Sequence, residues 1–316
     1  MALELDLGKV ESSGAFTSYM NLVSTICGAG ILGLPFAYAH TGYILGSFLL
    51  FLCGVFAFVG LHLTSVSARM ARKPVTFKSV ADLASPHLAT VIDTAVLTKC
   101  FGVACAYLIV VGDLMPQSIE YLFGLPVARE LCVLLGFFIA APLSFYHQLD
   151  ALKYSSSVSM IFILILVVVT VIYSPLTSLD PCQSDECTGD ILPFPLHARN
   201  VLRVLSIFVF GFTCHQNAYA IVNELKHPSQ YRYDNVFGCA VLTGGIFYLI
   251  VGVSAYSTYG DDVQSNILKS YPRSATMSIC KLLICFVEIL HFPLQINPGK
   301  SLPIVLQGCS CVHIHV

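Results

Sequence analysis

Charged side chains are scarce in this sequence. Only 11 % of its 316 residues are Asp, Glu, Lys or Arg, whereas 56 % are hydrophobic. Soluble domains carry about 25 % charged residues, so the shortage excludes an ordinary soluble domain and predicts a polytopic membrane protein. The formal net charge is -2 and no basic run occurs, so nothing in the sequence indicates nucleic-acid binding.

Motifs that would mark a secreted protein or an enzyme are also missing. The residues Glu4, Asp6 and Glu11 stand where a cleavable signal peptide needs positive charge, so no such peptide is predicted. No N-x-[ST] glycosylation motif occurs. There is no nucleophile with a nearby base, no metal-ligand cluster and no phosphate-binding loop, and Cys309-x-Cys311 is weak support for a metal. We therefore expect no enzyme activity, no metal and no cofactor.

The cysteines do not form a disulfide framework. Many of the thirteen lie in apolar runs, where cysteine behaves as a small hydrophobe, among them Cys27, Cys53, Cys105, Cys132, Cys239 and Cys285. The exceptions are Cys182 and Cys187, which lie in a polar, acidic loop. These two could form a disulfide if that loop faces an oxidising compartment.

Eight apolar runs are long enough to span a bilayer, which takes about 17 to 25 residues. They cover approximately residues 15–38, 43–66, 94–115, 128–146, 154–173, 201–222, 236–259 and 277–294. These runs predict an all-α bundle of about eight transmembrane helices over residues 15–298. The tail covers residues 299–316, and its last stretch, from Ile304 to Val316, is too short for another full span.

The basic residues in short loops predict the orientation of the bundle. Arg69, Arg72, Lys73 and Lys78 lie between spans two and three, and further lysines and arginines lie between spans four and five and spans six and seven. An acidic loop lies on the opposite side, between spans five and six. This bias places the amino-terminal tail, residues 1–14, in the cytoplasm.

The first span is interrupted by the stretch GAGILGLPFAY, which begins at Gly28 and contains Gly30, Gly33 and Pro35. Glycine lets the backbone unwind and approach a solute closely, and proline removes a helix hydrogen bond. Inside a bilayer, freed backbone groups need a partner from protein, water or a ligand. The stretch is therefore a candidate binding site. The alternative is that Gly28 and Gly33 serve only helix packing.

The sixth span contains five consecutive polar or weakly polar residues at its middle: Thr213, Cys214, His215, Gln216 and Asn217. Polar groups on every face exclude a lipid-facing helix, so this span is either surrounded by protein or locally unwound around a solute. A hydrogen-bonded cluster between helices is the alternative. If spans one and six are both broken, the spacing fits an inverted repeat of five helices with the solute between the two breaks.

Ionisable residues within the spans each require an interpretation. Glu288 and His291 in span eight are three residues apart and share a helix face. Because histidine titrates near neutrality, the two could together carry a proton. Alternatively, Glu288 pairs with Lys281 or only with His291. Other charges near span ends are interpreted as interfacial, with long side chains extending to the headgroups: Lys99, Arg203, Lys281 and Asp113.

Four motifs resemble the amino acid/auxin permease (AAAP) family: GAGILGLPFAYAHTG, KCFGVACAYLIVVGDLMPQ, FVFGFTCHQNAYAIVNEL and HFPLQINPGKSL. Within that family they are similar to the fungal vacuolar amino-acid transporters and the animal sodium-coupled neutral amino-acid transporters. The resemblance implies an amino-acid carrier that works by alternating access. It also implies a LeuT-like (APC) fold of eleven spans, in which the first ten form the inverted repeat.

The resemblance also implies the site residues. The substrate's amino and carboxylate groups would be held at the first break, which carries Thr25, Cys27, Gly28, Ala29, Gly30 and Ile31. Three residues of span six would line the side-chain pocket: Cys214, His215 and Gln216. Asn21 and Thr25 lie at the depth where sodium-coupled relatives place ion ligands, whereas vacuolar relatives use protons.

The carboxyl-terminal residues depart from the family pattern. The family has an arginine and three more spans after HFPLQINP, whereas this chain continues with Gly299 and Lys300 and ends at Val316. Residues 299–316 resemble an alternative or frame-shifted terminus more than a ninth span. We therefore expect a second repeat that is truncated after about eight spans.

Two hypotheses follow from the sequence. The first is proton-coupled transport of an amino acid across a vacuolar or similar acidic-organelle membrane, with sodium coupling and a plasma-membrane location as alternatives. His215, Glu288 and His291 are then the candidates for proton coupling. The second is a sensor that binds amino acids without moving them, or a truncated regulatory isoform. The expected partners are the bilayer and a small amino-acid substrate, and the sequence does not specify an oligomeric state.

Overall fold

The computed structural model describes residues 13–144, 152–177, 179, 181, 189–195 and 197–296. Within these residues the regular structure is helical, apart from a single parallel bridge between Ser13 and Leu225. The predicted features at residues 1–12, in the loop of Cys182 and Cys187 and at residues 297–316 lie outside the described residues.

Twelve α-helices follow one another along the described residues, with two short 3-10 turns at His215–Asn217 and Gly260–Asp262. They are α1 Ala15–Ile26, α2 Gly30–Thr41, α3 Tyr43–Ala68, α4 Phe77–Ala84, α5 Pro86–Phe123, α6 Arg129–Ser144, α7 Leu152–Ile172, α8 Ala198–Gly211, α9 Ala218–Glu224, α10 Gln230–Tyr259, α11 Ile267–Ser270 and α12 Ala275–Ile296.

Six helical stretches of the described residues are long and apolar enough to cross a membrane, and the bent pair α1 and α2 would make a seventh. The six include α3, α5 and α10, together with α8 and α9 taken as one span of 27 residues. The predicted fourth span corresponds to α6, of which 16 residues are described. The chain is therefore a multi-pass helical membrane protein, as its low charge content predicts.

The third span is much longer than predicted. The sequence predicts approximately residues 94–115, but α5 extends over 38 residues from Pro86 to Phe123. Proline at the first helical position is compatible with a helix start because its missing N–H needs no partner there. The helix ends where Gly124 adopts a left-handed conformation with φ of 68°. Hydropathy locates only the part within the lipid, so it misses both extensions.

The helices pack around the two broken spans. Helix α10 contacts α1, α2, α3 and α7, α2 lies against α8, and α12 lies against α5, α6 and α7. The buried interior is aromatic as well as aliphatic, with Tyr38, Phe208, Phe237 and Tyr248 among its largest fully buried side chains. Helix α3 turns Phe48, Phe51 and Phe56 outward, as a face in contact with lipid would.

Both predicted breaks are confirmed. The first span is bent by 49° between α1 and α2. The sixth span leaves the α-helix after Gly211 and resumes as α9 at Ala218, after the 3-10 turn at His215–Asn217. The two breaks touch, because a Cβ atom added to Gly30 would lie only 2.9 Å from the Cα atom of Gly211. The inverted-repeat fold thus brings together two points nearly two hundred residues apart.

The two broken spans are also tied at one end, which we name the tied end: Ser13, Val75, Asn223 and Leu225. The N–H of Ser13 donates to the carbonyl of Glu224 at 2.7 Å, and the Lys226 N–H donates to the Ser13 carbonyl at 3.0 Å. The side-chain amide of Asn223 pairs with both backbone groups of Val75, each at 2.8 Å. The start of span one and the loop after α3 are thus both bonded to the end of span six.

Two charged residues that the sequence places at the interface point into the protein instead. Lys281 is only 3 % exposed and donates to Oε1 of Gln117 at 3.3 Å. Lys99 Nζ lies 3.5 Å from the carbonyl oxygen of Thr213, next to the break in span six. The prediction of interfacial anchors is wrong for Lys281 and misses the protein contact of Lys99, because helix position alone does not reveal that a neighbouring helix offers an acceptor.

Candidate functional site

A narrow cavity lies where the two breaks meet. Its free volume is about 10 Å³, which is roughly the room that one water molecule needs. Its walls come from both breaks and from α5 and α12: Thr25, Ile26, Gly28, Ala29, Gly30, Val103, Tyr107, Phe210, Gly211, Thr213 and Gln295. In this conformation the cavity is therefore too small for an amino acid.

The break in span one contributes backbone groups to the cavity. Helix α1 ends at Ile26 and α2 begins at Gly30, so the final carbonyls of one helix and the first N–H groups of the other lie side by side. Such groups have no partner within their own helix. They carry partial negative charge at the end of α1 and partial positive charge at the start of α2. One short break thus offers binding groups of both signs.

The glycines of this break differ in their surroundings. A Cβ atom on Gly28 would lie 3.1 Å from the hydroxyl of Tyr107, across the cavity. On Gly30 it would meet Gly211, as described above. Gly33 does not line the cavity, and its added Cβ would contact Ile207 Cγ2 at 3.4 Å. The packing interpretation thus describes Gly33, whereas Gly28 and Gly30 both pack closely and border the cavity.

The break in span six contributes side chains that link the elements around the cavity. Asn217 Nδ2 donates to Thr25 Oγ1 at 3.0 Å, and Thr25 Oγ1 donates to the carbonyl of Asn21 at 2.8 Å. Gln216 Nε2 donates to Gln295 Oε1 at 2.9 Å. The polar run therefore joins the two breaks to each other and to α12, as the hydrogen-bonded alternative expects, and it is also unwound.

An amide and hydroxyl chain continues from Gln216 across the cavity wall. Gln295 accepts from Gln216 and donates from Nε2 to the hydroxyl of Tyr107 at 3.0 Å. Gln216 Oε1 is buried and has no hydrogen-bond partner among the described residues. A buried acceptor without a partner is costly. This oxygen lies one hydrogen bond behind the cavity wall, because Gln216 bonds to Gln295, which lines the cavity.

The side chain of His215 points away from the cavity, toward α3. Its Nε2 atom is 3.1 Å from the carbonyl oxygen of Ala57 in α3. A Cβ atom on Gly60 would lie 2.5 Å from the same nitrogen. The imidazole therefore rests against α3 and does not line the cavity.

The remaining predicted site residues are buried close to the cavity but do not form its walls: Cys27, Ile31 and Cys214. Thr25, Gly28, Ala29 and Gly30 do line it. The structure thus brings together the span-one residues and places only Gln216 of the predicted span-six residues in contact with a cavity wall.

Tyr248 is a cavity neighbour that the sequence does not indicate. Its hydroxyl, on α10, donates to the carbonyl of Ile26 and lies 2.8 Å from the carbonyl oxygen of Gly211. Nothing in the regular apolar run around Tyr248 distinguishes it. Tyr107 and Gln295 were also not predicted as site residues, although both lie within the motifs that carry the family resemblance.

Glu288 and His291 lie on α12, on the buried side of the helix that also carries Gln295. Each is only 1 % exposed. Oε2 of Glu288 and both ring nitrogens of His291 have no hydrogen-bond partner among the described residues. The ring of His291 lies 6.3 Å from that of Tyr107. Glu288 therefore pairs with neither His291 nor Lys281, contrary to the structural alternatives.

The described residues contain no group of three or more His, Cys, Asp or Glu side chains that could hold a metal ion. The site consists of backbone ends, amides, hydroxyls and one buried carboxyl with its histidine neighbour. This chemistry is suited to binding a small polar molecule and exchanging a proton.

Comparison with known proteins agrees with this arrangement. Residues 11–302 match the family model described as transmembrane amino acid transporter protein. The chain is 35 % identical over 304 residues to vacuolar amino acid transporter 5 of Schizosaccharomyces pombe, covering 94 % of this chain and 70 % of that protein. It is 34 % identical over 292 residues to vacuolar amino acid transporter 6 of Saccharomyces cerevisiae, covering 89 % and 64 %. The chain thus spans about two thirds of the length of these relatives.

A solved structure shares the fold. It is Mhp1, a nucleobase-cation-symport-1 family transporter, in a closed conformation with bromovinylhydantoin bound. The TM-score is 0.62 at 14 % identity, and the match covers 92 % of this chain and 64 % of Mhp1. At this identity the likeness supports the inverted-repeat transporter fold and nothing about the ligand.

Proposed function

This chain belongs to the transmembrane amino acid transporter family, which is a family of transporters and not of enzymes, and on that basis we propose that it moves amino acids across a vacuolar-type membrane. The observation that carries the proposal is the meeting of both breaks at one cavity. Ile26 at the end of α1, Gly30 at the start of α2 and Gly211 at the end of α8 all border the same small space.

The two charged groups of an amino-acid zwitterion match the two kinds of backbone end. A carboxylate is favoured at the N-terminal end of a helix, which here is the start of α2 at Gly28 to Gly30. An ammonium group is favoured by carbonyls at helix C-terminal ends, which here belong to Ile26 and Gly211. Both ends of the substrate can therefore be held by backbone groups, whatever its side chain.

The side chain of the substrate would lie toward α5 and α12. That wall contains Val103, the hydroxyl of Tyr107 and the amide of Gln295. The free Oε1 of Gln216 adds an acceptor behind it. We propose that Gln216, Gln295 and Tyr107 select the substrate, and that His215 holds the break against α3.

Transport requires the cavity to change size. Because it now admits about one water molecule, binding requires α1, α2, α8 and α9 to move relative to α5 and α12. Such rocking of one part of an inverted-repeat fold against the other is the usual form of alternating access. The closed cavity is then one state of that cycle.

Proton coupling is assigned to Glu288 and His291. Buried ionisable groups inside membrane bundles commonly mark proton pathways, and these two lack hydrogen-bond partners at Oε2 and at both ring nitrogens. Tyr107 is the nearby residue that also lines the cavity, and its ring centroid lies 6.3 Å from that of His291. A proton gradient across an acidic organelle membrane would supply the driving force, with sodium as the alternative ion.

The test is transport by the purified chain in liposomes. Exchange of a panel of labelled amino acids is measured with and without a pH gradient. We expect saturable uptake that increases when the gradient is imposed. Thermal stability of the purified chain is measured in parallel with the same panel.

Each outcome has a separate meaning. Uptake that responds to a sodium gradient and not to pH would contradict proton coupling but not amino-acid transport. Stabilisation by an amino acid without any flux would contradict transport and support the sensor hypothesis. A chain that neither binds nor moves any amino acid would contradict both functions.

A further inference from the structure

One side chain contacts both breaks at once. Tyr248 is fully buried on α10, and its hydroxyl donates to the carbonyl of Ile26 while lying 2.8 Å from the carbonyl oxygen of Gly211. These are the last residues of α1 and α8. A hydroxyl has a single hydrogen to donate, so the two carbonyls share one donor.

This position is the one that a substrate amine needs. An ammonium nitrogen that donates to both carbonyls must lie within about 3 Å of each oxygen, which is where the Tyr248 hydroxyl oxygen now lies. A nitrogen at that point and the Tyr248 hydroxyl cannot be present together. We propose that the Tyr248 hydroxyl takes the place of the substrate's ammonium group in the empty protein and must withdraw before an amino acid binds. The inference rests on the proposed function, since it requires a substrate with an amine.

The surroundings fix the hydroxyl at this point. A Cβ atom on Gly211 would lie 2.9 Å from Cε2 of the Tyr248 ring, and one on Gly30 would lie 3.3 Å from its hydroxyl oxygen. The ring also packs edge to face on Phe212, with centroids 5.4 Å apart. The close contacts with Gly211, Gly30 and Phe212 restrict rotation of the ring, so we expect its withdrawal to require movement of α10 relative to the breaks.

Helix α10 is packed closely enough to couple these events. A Cβ atom on Gly244, one turn before Tyr248, would lie 2.5 Å from Cγ2 of Ile26. Displacing the hydroxyl therefore shifts the contact between α10 and α1 as well. The arrival of the amine is in this way linked to movement of span seven.

The occupation of the ammonium position by the Tyr248 hydroxyl also has a consequence for the transport cycle. In the empty protein the hydroxyl shares its single hydrogen between two carbonyls that would otherwise both be buried without any donor, and such orphaned groups are costly. An empty carrier must return across the membrane during net uptake, but during exchange every crossing is made with substrate bound. Loss of the hydroxyl should therefore slow net uptake and spare exchange.

The experiment compares Tyr248→Phe with the wild-type chain in liposomes. We expect homo-exchange to stay within about twofold of wild type and its KM to fall about 2- to 10-fold, the range of one net hydrogen bond that no longer competes. Net uptake into liposomes without internal substrate is expected to fall about 10-fold. The ratio of exchange to net uptake thus rises.

Tyr256→Phe is the matched control. Tyr256 lies about two turns further along α10, is 1 % exposed, and accepts a hydrogen bond from the N–H of Leu192. The Tyr256→Phe variant loses a buried tyrosine hydroxyl whose hydrogen bond goes to Leu192 and not to either break. We expect its ratio of exchange to net uptake to equal that of wild type.

Equal falls of exchange and net uptake in Tyr248→Phe, with an unchanged KM, would overturn the inference and leave a structural hydrogen bond. If that variant does not fold, the inference is tested instead by the thermal stability of the wild-type chain with two ligands. An amino acid is expected to stabilise the chain, and the 2-hydroxy acid of the same side chain is not, since a hydroxyl with one hydrogen cannot satisfy both carbonyls. Equal stabilisation by the two would overturn the inference. A wild-type chain that binds no amino acid would instead contradict the proposed function on which it rests.

Discussion

The two breaks differ in what they present to a ligand. The break in span one is three residues long, bends the span by 49° and presents backbone groups. The break in span six includes a 3-10 turn, and its Gln216 and Asn217 side chains bond to α12 and α1. Within the proposed function we infer a division of tasks. The backbone ends at both breaks, Ile26, Gly30 and Gly211, bind what all amino acids share, and the side-chain network of the second break contacts what distinguishes them.

The largest effect is expected from Gly30→Val, which adds a branched side chain where the two breaks touch. Its Cβ would lie 2.9 Å from the Gly211 Cα atom, where neither backbone can yield cheaply, and it would displace the polar ends of the substrate. We expect flux of every amino acid in the panel to fall at least about 100-fold while membrane insertion is retained. Liposome uptake and a protein blot measure the two.

The control for this variant is Gly102→Ala on α5, where an added Cβ has no atom within 4 Å. It should transport like wild type. Unchanged flux in Gly30→Val would show that the break in span one does not bind the substrate, and the inferred division of tasks would then be wrong.

A second, smaller effect is expected from Gln295→Met. Gln295 lies on α12, and this change removes its hydrogen bond to Gln216 of span six. Methionine fills a similar volume but leaves Gln216 and Tyr107 without their shared partner. We expect KM to rise about 10-fold for the preferred substrate, and by unequal factors across the panel. A uniform loss across all substrates would contradict this division, because it would give Gln295 the role assigned to the backbone ends at Ile26, Gly30 and Gly211.

The third prediction concerns a residue outside both breaks. In Glu288→Gln the amide stays neutral at every pH, like a carboxyl group that is permanently protonated, so it cannot release a proton on the other side. We expect acid-driven stimulation of uptake to disappear and exchange without a gradient to remain. The measurement is uptake with and without an imposed pH gradient. A normal pH response would return Glu288 to a structural role.

The smallest effect is expected from His215→Ala. Because the imidazole contacts α3 at the Ala57 carbonyl, its loss should lower flux only about threefold, the value of one modest hydrogen bond, and leave the order of substrates unchanged. Competition by the amino-acid panel measures that order. A changed order would place His215 in the pocket, as the family resemblance implies, and would contradict its separation from Gln216.

The sequence predicts the breaks because their causes are local. Glycines weaken the first span at its break, whereas Pro35 lies inside α2. A polar run interrupts the sixth span. Neither signal depends on distant residues. The direction of His215 could not be predicted in the same way, since a 3-10 turn replaces the α-helical spacing there and turns consecutive side chains to different neighbours.

The partners of the site could not be predicted because they come from elsewhere in the chain. Tyr248 lies in an apolar run with no unusual residue, and only the fold brings its hydroxyl to Ile26 and Gly211. The position of Lys281 was predicted wrongly for the same reason. Its acceptor, Gln117, lies on α5, far away in sequence.

The bridge between Ser13 and Leu225 makes the tied end observable. Its two backbone hydrogen bonds join the two broken spans at the end that the loop charges predict to be cytoplasmic. Under the proposed transport cycle, these spans separate there before a bound solute leaves. The amide protons of Ser13 and Lys226 are shielded while the bond pair persists and exposed to solvent deuterium when it opens. Their hydrogen-exchange rates would therefore report how often this end of the bundle opens, and the measurement does not require the transported solute to be identified.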